Sequence, residues 1–111
     1  MKKIIEILPE EFKKSVIQLK VLGIDNVAWR YKDCMQIIEY LAERNFFILG
    51  GDVYKYENEI ISSTYDSWYT DKNNSIPRKN IIEFSKTKSL SYLKKYKDLN
   101  GDNFCYSLVV E

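Results

Sequence analysis

Two runs, residues 46–57 and 60–70, are enriched in aromatic and β-branched side chains, and Glu57-Asn58-Glu59 separates them. Side chains of these types suit a pleated, half-buried backbone, and a short polar break between two such runs predicts a hairpin. This pattern constrains the fold strongly, because a hairpin has two faces and each needs a cover or must meet water. Gly50-Gly51 interrupts the first run directly before Asp52. Glycine only weakens a strand interior unless the backbone needs it, so the pair predicts a bulge or a sharp bend. The register between the two strands is left open, and a slip of one residue would send every side chain to the opposite face.

A chain of 111 residues is long enough for one domain with a real core, and residues 1–111 are read as that single domain. Residues 3–7 alternate weakly and predict a short edge strand. Pro9, Glu10 and Glu11 suit a first helical turn, and Phe12, Val16 and Leu19 recur at helical spacing. They predict a helix over about 9–22 that stops at Gly23. Tyr31, Cys34, Met35, Ile38, Leu41 and Ala42 mark one face of a second helix. Asp33 with Gln36 offers it a capping box, and Asn45 can end it in a left-handed conformation. Asp71 to Pro77 reads as a polar loop. Residues 78–97 are mainly helical, with Ile81, Ile82, Phe84, Leu90, Leu93 and Tyr96 as apolar marks. The pattern breaks at Ser85-Lys86-Thr87-Lys88, which allows two pieces. Asn100-Gly101-Asp102 is a turn before a closing strand from Phe104 to Val110. The expected class is α+β: a mostly antiparallel sheet, with a central hairpin at about 46–70 and a C-terminal strand, packed on about three helices.

The composition narrows the chemistry. There is no histidine, so the usual neutral-pH base and the Ser-His and Cys-His nucleophile pairs are missing. Cys34 falls on an apolar helix face and Cys105 alternates with aromatics on a strand; both read as buried, inert thiols. Two cysteines without histidine do not make a common zinc site, so no metal or cofactor is expected. No apolar run reaches the roughly 20 residues that span a bilayer. The N-terminal stretch, with Glu6, Pro9, Glu10 and Glu11, lacks the apolar core of a signal peptide. The expected location is the cytoplasm, away from membranes, with reduced thiols.

Three sites merit weighing. Asp52 and Asp66 can approach across the hairpin as a carboxylate pair, the basis of a minor alternative in which the chain is a small enzyme; solvated surface acids explain both more simply. Gly50-Gly51-Asp52 lacks the spacing of a phosphate-binding loop or dinucleotide fingerprint. Lys86, Lys88, Lys94, Lys95 and Lys97 lie near Tyr92 and Tyr96, a mixture suited to phosphate contact and base stacking. A nucleic-acid-binding module using the basic 78–97 region is therefore the main alternative. The same lysines also fit the wet side of an amphipathic helix, since Leu90, Leu93 and Tyr96 recur every three residues. The net charge of +1 hides a balance of −6 over residues 33–71 and +7 over 72–97. Folding can mix these faces, or leave an acidic surface on the hairpin for a basic partner.

The third site is aromatic. Five of the eleven Trp and Tyr residues lie between positions 54 and 69. Trp29, Tyr54, Tyr56, Tyr65, Trp68 and Tyr69 can serve the core, but two alternating strands bury both faces only if each is covered. Rings left exposed would be edged by Asp52, Glu57, Glu59, Asp66 and Asp71, a rim that suits a partner with a basic surface. Leu49-Gly50-Gly51-Asp52-Val53-Tyr54, followed some fourteen residues on by Trp68-Tyr69, resembles the immunity protein 40 family of bacterial polymorphic toxin systems. Val27-Ala28-Trp29 and Tyr92-Leu93 fit the same layout, so the resemblance covers nearly the whole chain. It implies a small cytoplasmic antidote, not an enzyme, that binds a cognate toxin domain and blocks it. Trp29, Gly50, Gly51, Asp52, Tyr54, Trp68 and Tyr69 carry the family pattern. Trp29, Gly50 and Gly51 are read as architectural. Asp52, Tyr54, Tyr56, Asp66, Trp68, Tyr69 and Asp71 are the candidate partner contacts. Neither the toxin nor any self-association is specified by this resemblance.

Overall fold

A single sheet organises the chain, and its pairings are antiparallel throughout. The computed structural model describes residues 3–111. The strands are β1 (Ile17–Gln18), β2 (Val27–Arg30), β3 (Ile48–Glu57), β4 (Ile60–Tyr69), β5 (Phe104–Ser107) and β6 (Val109–Val110). Their order is β1-β2-β5-β3-β4, with β6 also on β3, so β4 is an edge. With helices α1 (Glu10–Lys13), α2 (Tyr31–Glu43) and α3 (Arg78–Asn100), this is the expected α+β class with its central hairpin and closing strand.

Helices α2 and α3 cover one face of the sheet. Cys34, Ile37, Ile38 and Leu41 from α2 and Leu93 from α3 meet Trp29, Val53, Trp68, Tyr106 and Leu108 in the main core. Helix α2 forms because its apolar residues recur every three or four positions and fall on that buried face. It begins after Arg30 with no side-chain cap, and Asp33 sits inside its first turn. The expected capping box is thus not used; the Asp33 carboxylate can only favour the positive end of the helix. Asn45 ends the helix at φ 64°, with its N–H donating to the Ala42 carbonyl, as its side-chain type allows.

The opposite face of the sheet is covered as well. Leu19 packs there on Ala28, Tyr54 and Cys105, flanked by Ile17, Leu22 and Ile24. This overturns the predicted helix over 9–22. Only one turn forms, at Glu10–Lys13, and the chain then extends at Ile17–Gln18 to pair with Ala28 and Val27. The helical spacing of Phe12 and Leu19 is a coincidence of two destinations, since Phe12 joins the main core and Leu19 the second cluster. The β-branched pair Val16-Ile17 tolerates extension, and strand pairing decides the matter. Gly23, at φ 76°, stops the turn of 3₁₀ helix at Lys20–Leu22. The predicted edge strand at residues 3–7 is also corrected: Ile4–Ile7 is a 3₁₀ turn that buries Ile4 in the main core.

Residues 78–100 form one helix without a break. Ser85 and Ser89 lie on its buried side, where small polar residues let the helix approach the sheet. The Ser85 hydroxyl accepts the Ile48 N–H and donates to the Ile82 carbonyl. The Ser89 hydroxyl accepts the indole N–H of Trp68 at 3.0 Å. The apparent interruption in the apolar pattern is therefore where hydrogen bonds replace apolar contact on a continuous helix face.

Candidate functional site: the outer face and bulge of the hairpin

The hairpin turns at Asn58 and Glu59, both in the left-handed region at φ 54° and 63°, which matches the twist of the flanking strands. From there the register pairs Glu57 with Ile60, Tyr56 with Ile61, Lys55 with Ser62 and Tyr54 with Ser63. Beyond a shift it resumes at Asp52 with Ser67, Gly51 with Trp68 and Gly50 with Tyr69. Side chains alternate between faces along a strand. Gly51, Val53, Asp66 and Trp68 therefore face the helices. Asp52, Tyr54, Tyr56, Ser67 and Tyr69 face away from them.

The two glycines stand where an added side chain would collide with its neighbours. A Cβ on Gly51 would lie 1.9 Å from the Ser107 carbonyl oxygen and 2.5 Å from Cη2 of Trp68. A Cβ on Gly50 would lie 2.1 Å from the Trp68 carbonyl oxygen, and its φ of 153° is one that side chains rarely adopt. The ladder with β6 is irregular between Ile48 and Gly50, as expected for a bulge at the pair. Trp29 is fully buried, with its indole N–H donating to the Phe12 carbonyl at 2.8 Å.

Of the candidate contacts, the fold buries Tyr54 and Trp68. Trp68 stacks on Tyr92 with ring centroids 5.0 Å apart, and Tyr54 lies in the second cluster, where burial pushes its phenol pKa up. Neither ring is presented to a partner, because helices cover one side of the hairpin and the 17–24 segment covers the other. Tyr56 is half-buried beneath the Arg30 guanidinium, 4.8 Å from its ring centroid. Asp52, Asp66, Tyr69 and Asp71 are exposed, and Tyr69 keeps 60% of its surface. Asp52, Ser67 and Tyr69 ring a shallow depression of about 310 Å³ over the glycine pair. The register places Ser67, not Asp66, opposite Asp52, so the two carboxylates point to opposite faces and do not form a pair.

Residues 64–66 carry a feature that composition did not single out. Between the Asp52–Ser67 and Tyr54–Ser63 pairs, β4 sets three residues against Val53 alone, a bulge with two extra residues. At its tip Tyr65 adopts φ 64° and leaves 93% of its surface in water. A left-handed conformation is uncommon for a bulky residue. Side chains hold the bulge in place. The Thr64 hydroxyl donates to the Val53 carbonyl at 2.7 Å and accepts the Asp66 N–H at 3.1 Å. The Tyr65 N–H donates to the Ser63 hydroxyl at 3.2 Å, and the Tyr96 hydroxyl donates to the Asp66 carboxylate at 2.7 Å. Burial, followed by that bond, raises the Tyr96 pKa.

Charge is only partly mixed by folding. Glu39 on α2 pairs with Lys86, Asp98 with Lys94 and Asp102 with Lys97, while Lys88 donates to the Tyr69 carbonyl. Among the described residues no ion pair involves Asp52, Asp66 or Asp71. On α3, Tyr92 and Tyr96 sit within a stack that runs from Trp68 to Phe104, so they are not free platforms for bases. Cys34 and Cys105 are buried and free; burial raises both thiol pKa values, Cys105 to about 12. No group of three or more Cys, Asp or Glu among the described residues is placed to hold a metal ion, and no described helix is long and apolar enough to cross a membrane.

These elements define an α+β fold with core on both faces of the sheet and a hairpin whose edge strand, β4, presents exposed acids and two exposed tyrosines. The chain belongs to the immunity protein 40 family: the family model matches residues 18–110. Comparison with curated proteins and with solved structures gave no match. The match runs from the end of β1 to the end of β6, so it includes the hairpin, its glycine pair and the bulge.

Proposed function

We propose that this protein binds and neutralises a cognate bacterial toxin domain, without catalysis of its own, through the exposed β4 edge of the hairpin. Family membership supports the toxin-neutralising role. The observation that carries the choice of surface is a set of exposed acids without ion pairs along the β4 edge: Asp66 next to Tyr65 at the bulge, Asp52 with Tyr69 on the other face, and Asp71 in the loop after β4. Unpaired acids speed the encounter with a basic protein, and exposed tyrosines supply large, rigid contact area at small entropic cost. Buried charges without partners are costly, so the toxin face should bring Lys or Arg side chains to meet these acids. A toxin that handles nucleic acid carries such a basic cleft, and the acidic hairpin can occupy it in place of phosphate.

Co-expression tests the reading. Cells producing the toxin domain encoded immediately beside this gene should survive when this chain is present, and the two proteins should co-purify. Death of those cells with no complex recovered refutes it.

A further inference from the structure

We infer that Tyr65 is the anchor of this surface: the bulge holds its ring out to enter an apolar slot, rimmed by Lys or Arg, on the partner protein. The inference rests on the toxin-binding reading and adds the residue and the shape of its receptor.

Three observations meet at this position. Among the described residues the ring is the most exposed of the large apolar side chains, at 93%, while most of the other aromatics are buried or half-buried. Its backbone is held at φ 64°, a conformation that glycine or asparagine would adopt more readily. Strain of this kind persists where the surroundings over-determine it and clusters at functional positions. Here the surroundings are Ser63, Thr64 and Asp66, with Tyr96 reaching across from α3 to fix the Asp66 carboxylate. An aromatic ring on a pre-set backbone loses little freedom on binding, which is how a few central rings come to dominate an interface.

Charge complementarity defines the occupant. Asp66 follows Tyr65 directly, is exposed and has no cationic partner among the described residues, so the rim around the receiving slot is basic. Tyr96 is then a positioning residue that acts through Asp66 on the bulge. The competing use of the bulge is protective, since an irregular edge discourages strand-to-strand aggregation. That use needs the bulge but not the ring.

Calorimetric titration with the toxin domain encoded beside the gene separates the two. Tyr65→Ala should weaken Kd by about 30-fold or more, while Tyr65→Phe stays within about threefold of wild type. Tyr65→Gly relieves the left-handed backbone, so it should melt higher than wild type and still bind as weakly as Tyr65→Ala. Tyr96→Phe removes only the hydroxyl; it should cost about fivefold in Kd in the native background and nothing when Tyr65 is already alanine. Wild-type affinity in Tyr65→Ala overturns the anchor and leaves the bulge an edge guard. An equal effect of Tyr96→Phe in both backgrounds overturns the positioning role. Failure of the wild type itself to bind removes the toxin reading, an outcome distinct from binding that survives loss of the ring.

Discussion

Gly51→Ala places a methyl group where two parts of the backbone already touch. Its Cβ would stand 1.9 Å from the Ser107 carbonyl oxygen and 2.5 Å from the Trp68 ring. Cβ atoms essentially never approach a neighbour closer than 3.0 Å, so the strands must part by roughly 1 Å. Overpacking a core with a movable neighbour costs about 1–3 kcal/mol. Here the nearer neighbour is backbone in the middle of the sheet, and the farther is an indole pinned between Ser89 and Tyr92. Neither can yield alone, which puts the expected cost at about 3 kcal/mol or above. In a domain of this size 1 kcal/mol lowers the melting temperature by about 4–8 °C. Calorimetric melting should therefore show a fall of roughly 12 °C or more. A variant melting within about 2 °C of wild type would refute the close approach of β3 to Ser107 and the architectural role given to the glycine pair.

Three further outcomes follow from the core. Leu41→Ala, at a fully buried position on α2, should lose about 2–5 kcal/mol in denaturant unfolding. Trp68→Phe keeps the stack on Tyr92 but leaves the buried Ser89 hydroxyl without its donor, so a loss of about 1–3 kcal/mol is expected by the same assay. Stability should also fall in alkali. Burial raises the Cys105 thiol from 9.0 to about 12 and raises the Tyr54 phenol, so the folded state keeps protons that the unfolded chain has released. This contribution is fully present below the unfolded pKa near 9 and is lost as pH climbs towards 12. The guanidinium midpoint should drop steadily over that window, less steeply in Cys105→Ala; a flat midpoint contradicts it.

The hairpin was legible because its signals are local: ring and branched side chains in two runs, a polar break and a glycine pair that only a close approach explains. Helix α2 was legible for the same reason, its apolar face being written at every third or fourth residue. What the sequence hid was long-range. Phe12 and Leu19 share a helical spacing yet serve opposite sides of the sheet, a fact set by the pairing of Ile17 with Ala28. The stretch from Ser85 to Lys88 looked like an interruption because the partners of Ser85 and of the next buried serine, Ser89, are Ile48 and Trp68, far away in the chain. The candidate surface divided along the same line. Composition pointed to the aromatics of residues 54–69 as a group, but only the register and the two covering layers show that Tyr54 and Trp68 go inside while Tyr69 stays out. Tyr65 had no separate signal at all, because a bulge of two extra residues in β4 becomes visible only when both strands are in place.

The central claim, neutralisation by direct binding, is tested most directly by titrating this protein into its cognate toxin domain while the toxin's own activity is followed. The account predicts that activity falls in proportion to the protein added and vanishes near one equivalent, with a Kd of about nanomolar order, and that association slows as salt is raised. Full toxin activity in the presence of a large excess of folded protein would contradict it.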